Sequence, residues 1–430
     1  MSTSSIFSPE LANLYKENNV KGIEEYVTSC IDDNGGLQSE RFVRLNPRFC
    51  KDETLNLLKK EVASVFASST DDLVKEMKMP ILKGLDFFSI PGKFSLQKSK
   101  IYTEGRIYGQ DLSSGAAVAA LSIDQKCVSS NEPFKVLDLC CCPGVKFCAI
   151  ADLIEGMRKA STVKGISGDV VMGVDIDPQR LYVCRKIVKK YHIDSLLTSG
   201  SDCKMNDCDR NVRLMLYNSD GTNFSVQNRG KLFFDTVAEK EELKSCKTGN
   251  NRKRMNKSAR ARERKRLKAL EKSENLKNNQ DSNQDGFFDR VLVDAECSTD
   301  GSIKHLLERM KKKNDKDVGP NEKLSTKVLS SNKSGNLDEL HKLQRNLIVA
   351  GFQNLRKDGV MVYSTCSLSR DQNEEMVRHL LETFANAFII PFQSNDVEGF
   401  DGYAFLSDWN TIRFTFGKFG GFFLAKIGKR

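Results

Sequence analysis

The chain has no apolar run approaching the roughly 20 residues that a bilayer crossing needs, and its mean hydropathy of -0.44 agrees, so a membrane-spanning protein is not expected. Its opening residues, MSTSSIFSPELANLYKENN, lack the hydrophobic core of a secretory signal and carry Glu10 and Glu17 where a mitochondrial presequence avoids acids. Nucleus or cytoplasm is the expected location. Histidine is scarce: the four are His192, His305, His341 and His379. They fall in helices or loops away from the strand ends and form no triad with a serine, which argues against a hydrolase. Neither a Gly-x-x-x-x-Gly-Lys-Ser/Thr run nor a Gly-x-Gly-x-x-Gly turn is present, which disfavours phosphate-loop and dinucleotide ligands. Cysteine is plentiful, with 13 in 430 residues. The spacing is adjacent or irregular, unlike the disulfide framework of a small secreted domain, so free thiols in a reducing compartment are expected.

What is there in quantity is apolar content, 39%, enough to bury a substantial core across two or three domains. Formal net charge is +10, unevenly placed. Residues 252 to 268 (RKRMNKSARARERKRLK) hold ten Lys or Arg against Glu263, a local +9 that leaves the rest near +1. Such a stretch favours a polyanion through counterion release, which makes RNA or another nucleic acid the natural partner. A solvated charge run or a nuclear-import tag has the same composition.

Residues 1–98 mix helical periodicity with a strand over Arg41 to Leu45, carry no chemical motif, and are expected to form an accessory domain. Over 99–430, short apolar runs alternate with helical stretches. Strands are expected over Lys135 to Leu139, Val170 to Ile176, Arg213 to Tyr217, Arg290 to Ala295, Gly359 to Thr365 and Phe422 to Ile427, and helices over Val145 to Met157, Pro178 to Tyr191, Leu337 to Arg356 and Asp371 to Phe384. That alternation predicts an α/β, doubly wound fold with crossover helices. Two polar segments, about 225–286 and about 309–335, read as insertions.

Chemistry concentrates at the strand ends. Asp138 to Lys146 is a strand end followed by Cys140, Cys141, Cys142, Pro143, Gly144, Val145 and a helix; the glycine lets the backbone approach a ligand, although a Pro-Gly turn is often only a turn. The next strand ends in Asp175-Ile176-Asp177, where a doubly wound fold places a carboxylate for two ribose hydroxyls. The third ends near Asp220, which suits an adenine amino group and suits a helix cap equally. A nucleoside without phosphates, such as S-adenosylmethionine, fits this set. The fourth and fifth carry Asp294-Ala295-Glu296-Cys297 and Ser364-Thr365-Cys366-Ser367. Two thiols and a carboxylate at neighbouring strand ends suit addition of a thiolate to carbon 6 of cytosine, which makes carbon 5 able to attack an electrophilic methyl. Buried strand-end cysteines also occur as plain packing residues. Cys140, Cys141 and Cys142 are consecutive, so alternating side chains are not expected to share a metal, and Cys203 with Cys208 lacks a second ligand pair. No metal is predicted.

Together these motifs resemble the Sun (Fmu-type) family of RNA cytosine-5 methyltransferases over roughly residues 100 to 430. The likeness rests on Asp138 to Lys146, similar to the family's D-x-C-x-x-P-G-x-K loop; on Asp175 with Arg180; on Asp220; on Asp294 to Cys297; on Ser364 to Ser367 followed by Asn373-Glu374; on Gly420 to Phe423; and on Arg106 to Ser114. Residues 41 to 60 are similar to its amino-terminal RNA-facing domain. The resemblance implies a Rossmann-like methyltransferase fold with a mainly parallel seven-stranded sheet, a smaller N-terminal α+β RNA-facing domain, S-adenosylmethionine as cofactor, and transfer RNA or ribosomal RNA as partner. It implies that Cys366 attacks the base, Cys297 assists release, and Asp294 contacts the base or the methionine portion. One departure stands out: the family usually has Asp-x-Pro-Cys, and Glu296 replaces the proline, where it is expected to raise the pKa of Cys297 and repel phosphate. A non-catalytic RNA-binding or ribosome-assembly factor on the same fold is the alternative.

Overall fold

The computed structural model describes residues 13, 15–17, 40–66, 73–128, 132–160, 168–194, 212–240, 286–302, 337–399, 404–415 and 420–430. The basic run at 252 to 268, the second insertion at 309–335, and Cys203 and Cys208 lie outside them.

The larger sheet has ten strands. Five run parallel in the order β10 (Leu355–Thr365), β9 (Phe288–Asp294), β5 (Lys135–Asp138), β6 (Val170–Asp175), β7 (Arg213–Asn218). They form around apolar stretches such as Val360–Tyr363 of β10 and Val291–Val293 of β9, which a sheet covered on both faces can bury. Alternate residues feed two separate cores. Val136, Val171, Leu214, Leu292 and Val362 point to one, beside helices α3 (Val145–Ala160) and α4 (Pro178–Lys189). Leu137, Met172, Met215, Val293 and Tyr363 point to the other, beside α5 (Leu337–Asn354) and α6 (Glu374–Thr383). Burying each such side chain contributes about 1.5–3 kcal/mol, and a register slip of one residue would exchange the two faces. The doubly wound α/β architecture expected from the sequence is therefore present. The expected seven strands become ten, because the antiparallel flanks add β8 (Lys231–Asp235) outside β7, and β11 (Ala387–Ile389), β12 (Ala404–Leu406) and β13 (Ile412–Phe414) around the antiparallel β14 (Phe422–Lys429). β8 also places ordered chain inside the segment read as an insertion from about 225.

The smaller sheet is antiparallel, in the order β2 (Lys75–Glu76), β3 (Phe87–Ile90), β1 (Arg41–Leu45), β4 (Ile107–Gly109). Helix α1 (Lys51–Phe66) covers one face through Leu58 and Val62. The fourth strand comes from beyond residue 98, followed at once by α2 (Leu112–Ala119). Phe42, Phe87 and Tyr108 join the core of the larger sheet, and the rings of Tyr108 and Tyr191 stack 3.8 Å apart. Buried charges fasten the junction. Arg44 donates to Gln110 (2.7 Å) and Asp152 (2.8 Å), while Arg48 donates to Asp152, to Glu155 (2.6 Å) and to His192 Nδ1 (2.7 Å). Burial opposes the Asp152 charge, but Arg48 and Arg44 outweigh it and hold the carboxyl well below its ordinary range.

Candidate active site

The parallel order places β9 beside β5, whose crossovers leave in opposite directions, and a doubly wound sheet opens its crevice at such a switch point. Asp138 ends β5 and Asp294 ends β9, so both carboxylates flank it. Lys146, in the first turn of α3, donates to Asp294 Oδ2 at 2.7 Å, and Ser364 at the end of β10 donates to Oδ1 at 2.6 Å. Burial works against the lysine charge, but Asp294 more than offsets this and raises the Lys146 pKa. Asp138 is fully buried and neither of its oxygens meets a well-aligned donor among the described residues. Burial first, then the Asp294 charge, push it well above the ordinary carboxylate range.

The two strand-end thiols meet. Cys297 Sγ lies 3.0 Å from Cys366 Sγ, with Cys297 buried and Cys366 partly open. The hydrogen bond with Cys366, followed by burial, holds the Cys297 pKa far above that of a free thiol. Glu296 is not the cause, contrary to the expectation from sequence: its side chain is exposed and acts instead on Arg180, whose positive charge it favours. A layer of hydrogen bonds fixes both thiol-bearing loops. Gln372 receives the Ser298 amide (3.0 Å) and donates to its hydroxyl (2.8 Å), Asn373 donates to the Ser367 carbonyl (2.9 Å), and Asp300 accepts the Leu368 amide (2.8 Å). Gly301 donates to the Cys366 carbonyl at 3.0 Å, and a Cβ there would sit 2.7 Å from that oxygen, so the close approach requires glycine. Beneath them the fully buried Glu374 pairs with Arg413, which also donates to the Leu368 carbonyl at 2.6 Å. Asp300, Gln372 and Arg413 carried no signal in the sequence, because each acts through a partner dozens of residues away.

The cofactor-loop residues are placed at the neighbouring strand ends. Asp175 is buried at the end of β6, accepts the Asp177 amide at 2.9 Å, and faces Arg180 at 3.3 Å. Burial raises its pKa to about 6. Arg180 also donates to the Cys142 carbonyl at 3.2 Å. Pro143 is exposed and Cys140 and Val145 are partly open, whereas Cys141 and Cys142 are buried. Gly144 has φ +110, and a Cβ on it would lie 2.6 Å from Cys184 Sγ, so only glycine closes this loop onto α4. Asp220 is exposed and caps the short turn Gly221–Asn223, accepting the Thr222 amide (2.9 Å) and hydroxyl (2.8 Å). It adjoins Asp175, whose carbonyl accepts the Ser219 amide at 3.2 Å. The sheet edge thus carries Asp220, Asp175 and Asp138 at successive strand ends, leading to a lysine, a carboxylate and two thiols.

Comparison with known proteins agrees with this placement. Residues 330–427 match the family described as 16S rRNA methyltransferase RsmB/F. The chain is 36% identical over 100 residues to ribosomal RNA small subunit methyltransferase F of Photobacterium profundum, covering 23% of this chain and 17% of that protein. It is 36% identical over 107 residues to the protein of that name from Vibrio campbellii, covering 25% and 18%. The matching part therefore spans under a fifth of the length of these relatives. Among solved structures, NSun6 from Pyrococcus horikoshii with SFG superposes with a TM-score of 0.55 at 17% identity over 99% of both chains. A methyltransferase homolog protein from Pyrococcus horikoshii gives 0.51 at 17%, covering 99% of this chain and 100% of that one. At such identity these two speak for the fold alone, a Rossmann-like α/β sheet. The Sun-family resemblance read from the motifs is borne out.

Proposed function

We propose that this chain is an S-adenosylmethionine-dependent RNA cytosine-5 methyltransferase, with Cys366 as nucleophile and Cys297 as the group that assists release. The observation that carries the reading is the contact between the two thiols, 3.0 Å apart, beside the paired Lys146 and Asp294. S-adenosylmethionine fits the groups present: Asp175 suits a ribose diol, and the carboxyl oxygens of Asp138 and Asp294 suit hydrogen bonds from the ammonium of a methionine portion. SFG, the companion of the solved NSun6 structure, is an analogue of it. When bound, it supplies an electrophilic methyl group.

The chain's own residues account for the rest. Of the two sulfurs, Cys297 is held as the thiol, so Cys366 is the one that adds to cytosine carbon 6, giving up its own proton to solvent as the carbon–sulfur bond forms. Addition moves the ring's π electrons toward ring nitrogen 3, where a proton from the Lys146–Asp294 pair balances the charge. Carbon 5 then takes the methyl. The carbon 5 hydrogen leaves as a proton to the Cys297 sulfur, which must first release its own proton to solvent. The electron pair left behind forms the carbon 5–carbon 6 double bond and expels the Cys366 thiolate, and ring nitrogen 3 returns its proton to the Lys146–Asp294 pair, restoring the aromatic ring. The names of the matched relatives favour ribosomal over transfer RNA as substrate. The small N-terminal sheet, fastened by Arg44 and Arg48, serves as an RNA-facing module, and nucleus or cytoplasm is the proposed location. The test is methyl transfer from labelled cofactor to RNA, read at cytosine by bisulfite sequencing. Cys366→Ala is expected to abolish it, and full activity in that variant would reject the mechanism. The competing reading, a non-catalytic RNA-binding factor, rests on exposed Glu296 in place of the family proline. It predicts cofactor binding with no methylated RNA.

A further inference from the structure

We infer that Cys141, Cys142 and Cys184 form a binding site for a thiophilic closed-shell cation, zinc(II) or copper(I), beside the cofactor loop. The three sulfurs lie within 4.8 Å of one another and all three residues are buried. Metal–thiolate bonds of about 2.3 Å place three sulfurs around one ion about 4 Å apart, which this spacing admits. In a strand successive side chains alternate, which would keep neighbouring cysteines from sharing a metal. β5 ends at Asp138, so Cys141 and Cys142 sit in a turn and bring both sulfurs to the same side. The third ligand comes from α4, where Leu181, Cys184 and Val188 form the buried stripe. Gly144 makes the approach possible, since any side chain there would strike Cys184 Sγ.

Charge is accommodated as well. Three thiolates around a divalent ion carry a net charge of about −1, and the Arg180 guanidinium stands beside them on the Cys142 carbonyl. Asp175, whose side chain interacts with Cys142, offers an oxygen ligand for a fourth position. Binding would displace the thiol protons and tie the cofactor loop to α4. The Cys297 and Cys366 pair, which offers two sulfurs, is separate. This inference stands whether or not the chain methylates RNA.

The reduced full chain is titrated anaerobically with Zn2+ alone or Cu+ alone against a competing chelator, and metal per chain is counted after gel filtration. A parallel Co2+ titration reads thiolate charge-transfer absorption. One retained ion per chain is expected in the wild type and in Cys366→Ala, with the ion that survives competition naming the metal. Cys184→Ala should bind at least about tenfold more weakly and lose charge-transfer intensity; Cys142→Ser should do the same, covering the case in which Cys184→Ala folds poorly. A wild type that retains neither ion overturns the site. So does a Cys184→Ala chain that folds and binds as tightly, or a loss in Cys366→Ala as large as in Cys184→Ala.

Discussion

Replacing Cys297 by alanine separates attack from release. Cys297 Sγ is 3.0 Å from Cys366 Sγ, so once Cys366 is bonded to carbon 6 the second sulfur is beside the adjacent ring carbon, which must lose its proton. Among the described residues, no other thiol touches Cys366. Removing a positioned base costs roughly 10²–10⁴ in rate, about 3–5 kcal/mol in barrier. Attack needs only Cys366, the ion pair of Lys146 and Asp294, and the loop anchored by Asp300 and Asn373, all of which alanine at 297 leaves in place. The methylated adduct should therefore form and persist. The assay mixes the variant with RNA and donor, denatures the mixture, and looks for protein-linked RNA on a denaturing gel. A strong band is expected for Cys297→Ala, little for the wild type, and none for Cys297→Ala combined with Cys366→Ala. A double variant that still forms the band, or a Cys297→Ala enzyme that turns over normally without one, would refute the assignment of the two sulfurs.

Three further outcomes follow from the same geometry. Lys146→Met leaves Asp294 without its cation at 2.7 Å, and methyl transfer should fall by about 10² or more while thermal unfolding moves little, because the pair is partly exposed. Asp152→Asn removes the shared acceptor of buried Arg44 and Arg48, and urea denaturation should show a loss of about 3–5 kcal/mol; a loss near zero would mean the junction does not depend on charge. Burial first, then Arg48, depress the His192 pKa well below its ordinary 6.5, so the unfolded chain takes up the proton first as pH falls. The His192 contribution should be intact above about pH 6.5 and decline below it by up to about 1.4 kcal/mol per pH unit. Stability measured against pH in His192→Gln should lack that component.

The parallel strands were legible because burial on both faces demands uninterrupted apolar runs, and Val170 to Asp175 or Arg213 to Tyr217 can be little else. Their acidic ends were legible for the same reason: a charge that terminates such a run must emerge at the sheet edge. β8 and β11 to β13 were not, since strands of three to five residues have no period long enough to read. Arg44 and Arg48 were opaque for another cause. Nothing local distinguishes a buried arginine from a solvated one, and the acids that neutralise these two lie 104 to 108 residues away.

The site divides along the same line. Cys297 and Cys366 could be paired from sequence because parallel neighbours end at the same edge, and Asp294 opposite Ser364 confirms that register. The proton inventory could not. Asp138 was read only as the start of a loop motif, yet it is a fully buried carboxyl beside Asp294 with no well-aligned donor among the described residues, whereas Asp294 is met by Lys146 and Ser364. Two carboxyls at one switch point thus have different surroundings, one pushed up by burial and the other tied to a lysine. Cys184 was half visible. Its i, i+3, i+7 stripe with Leu181 and Val188 marks a buried helix face, but only the docking of α4 against the turn after β5 turns that face toward Cys141 and Cys142. Position along the chain thus indicates which residues reach the sheet edge, and packing determines which of them hold a proton there.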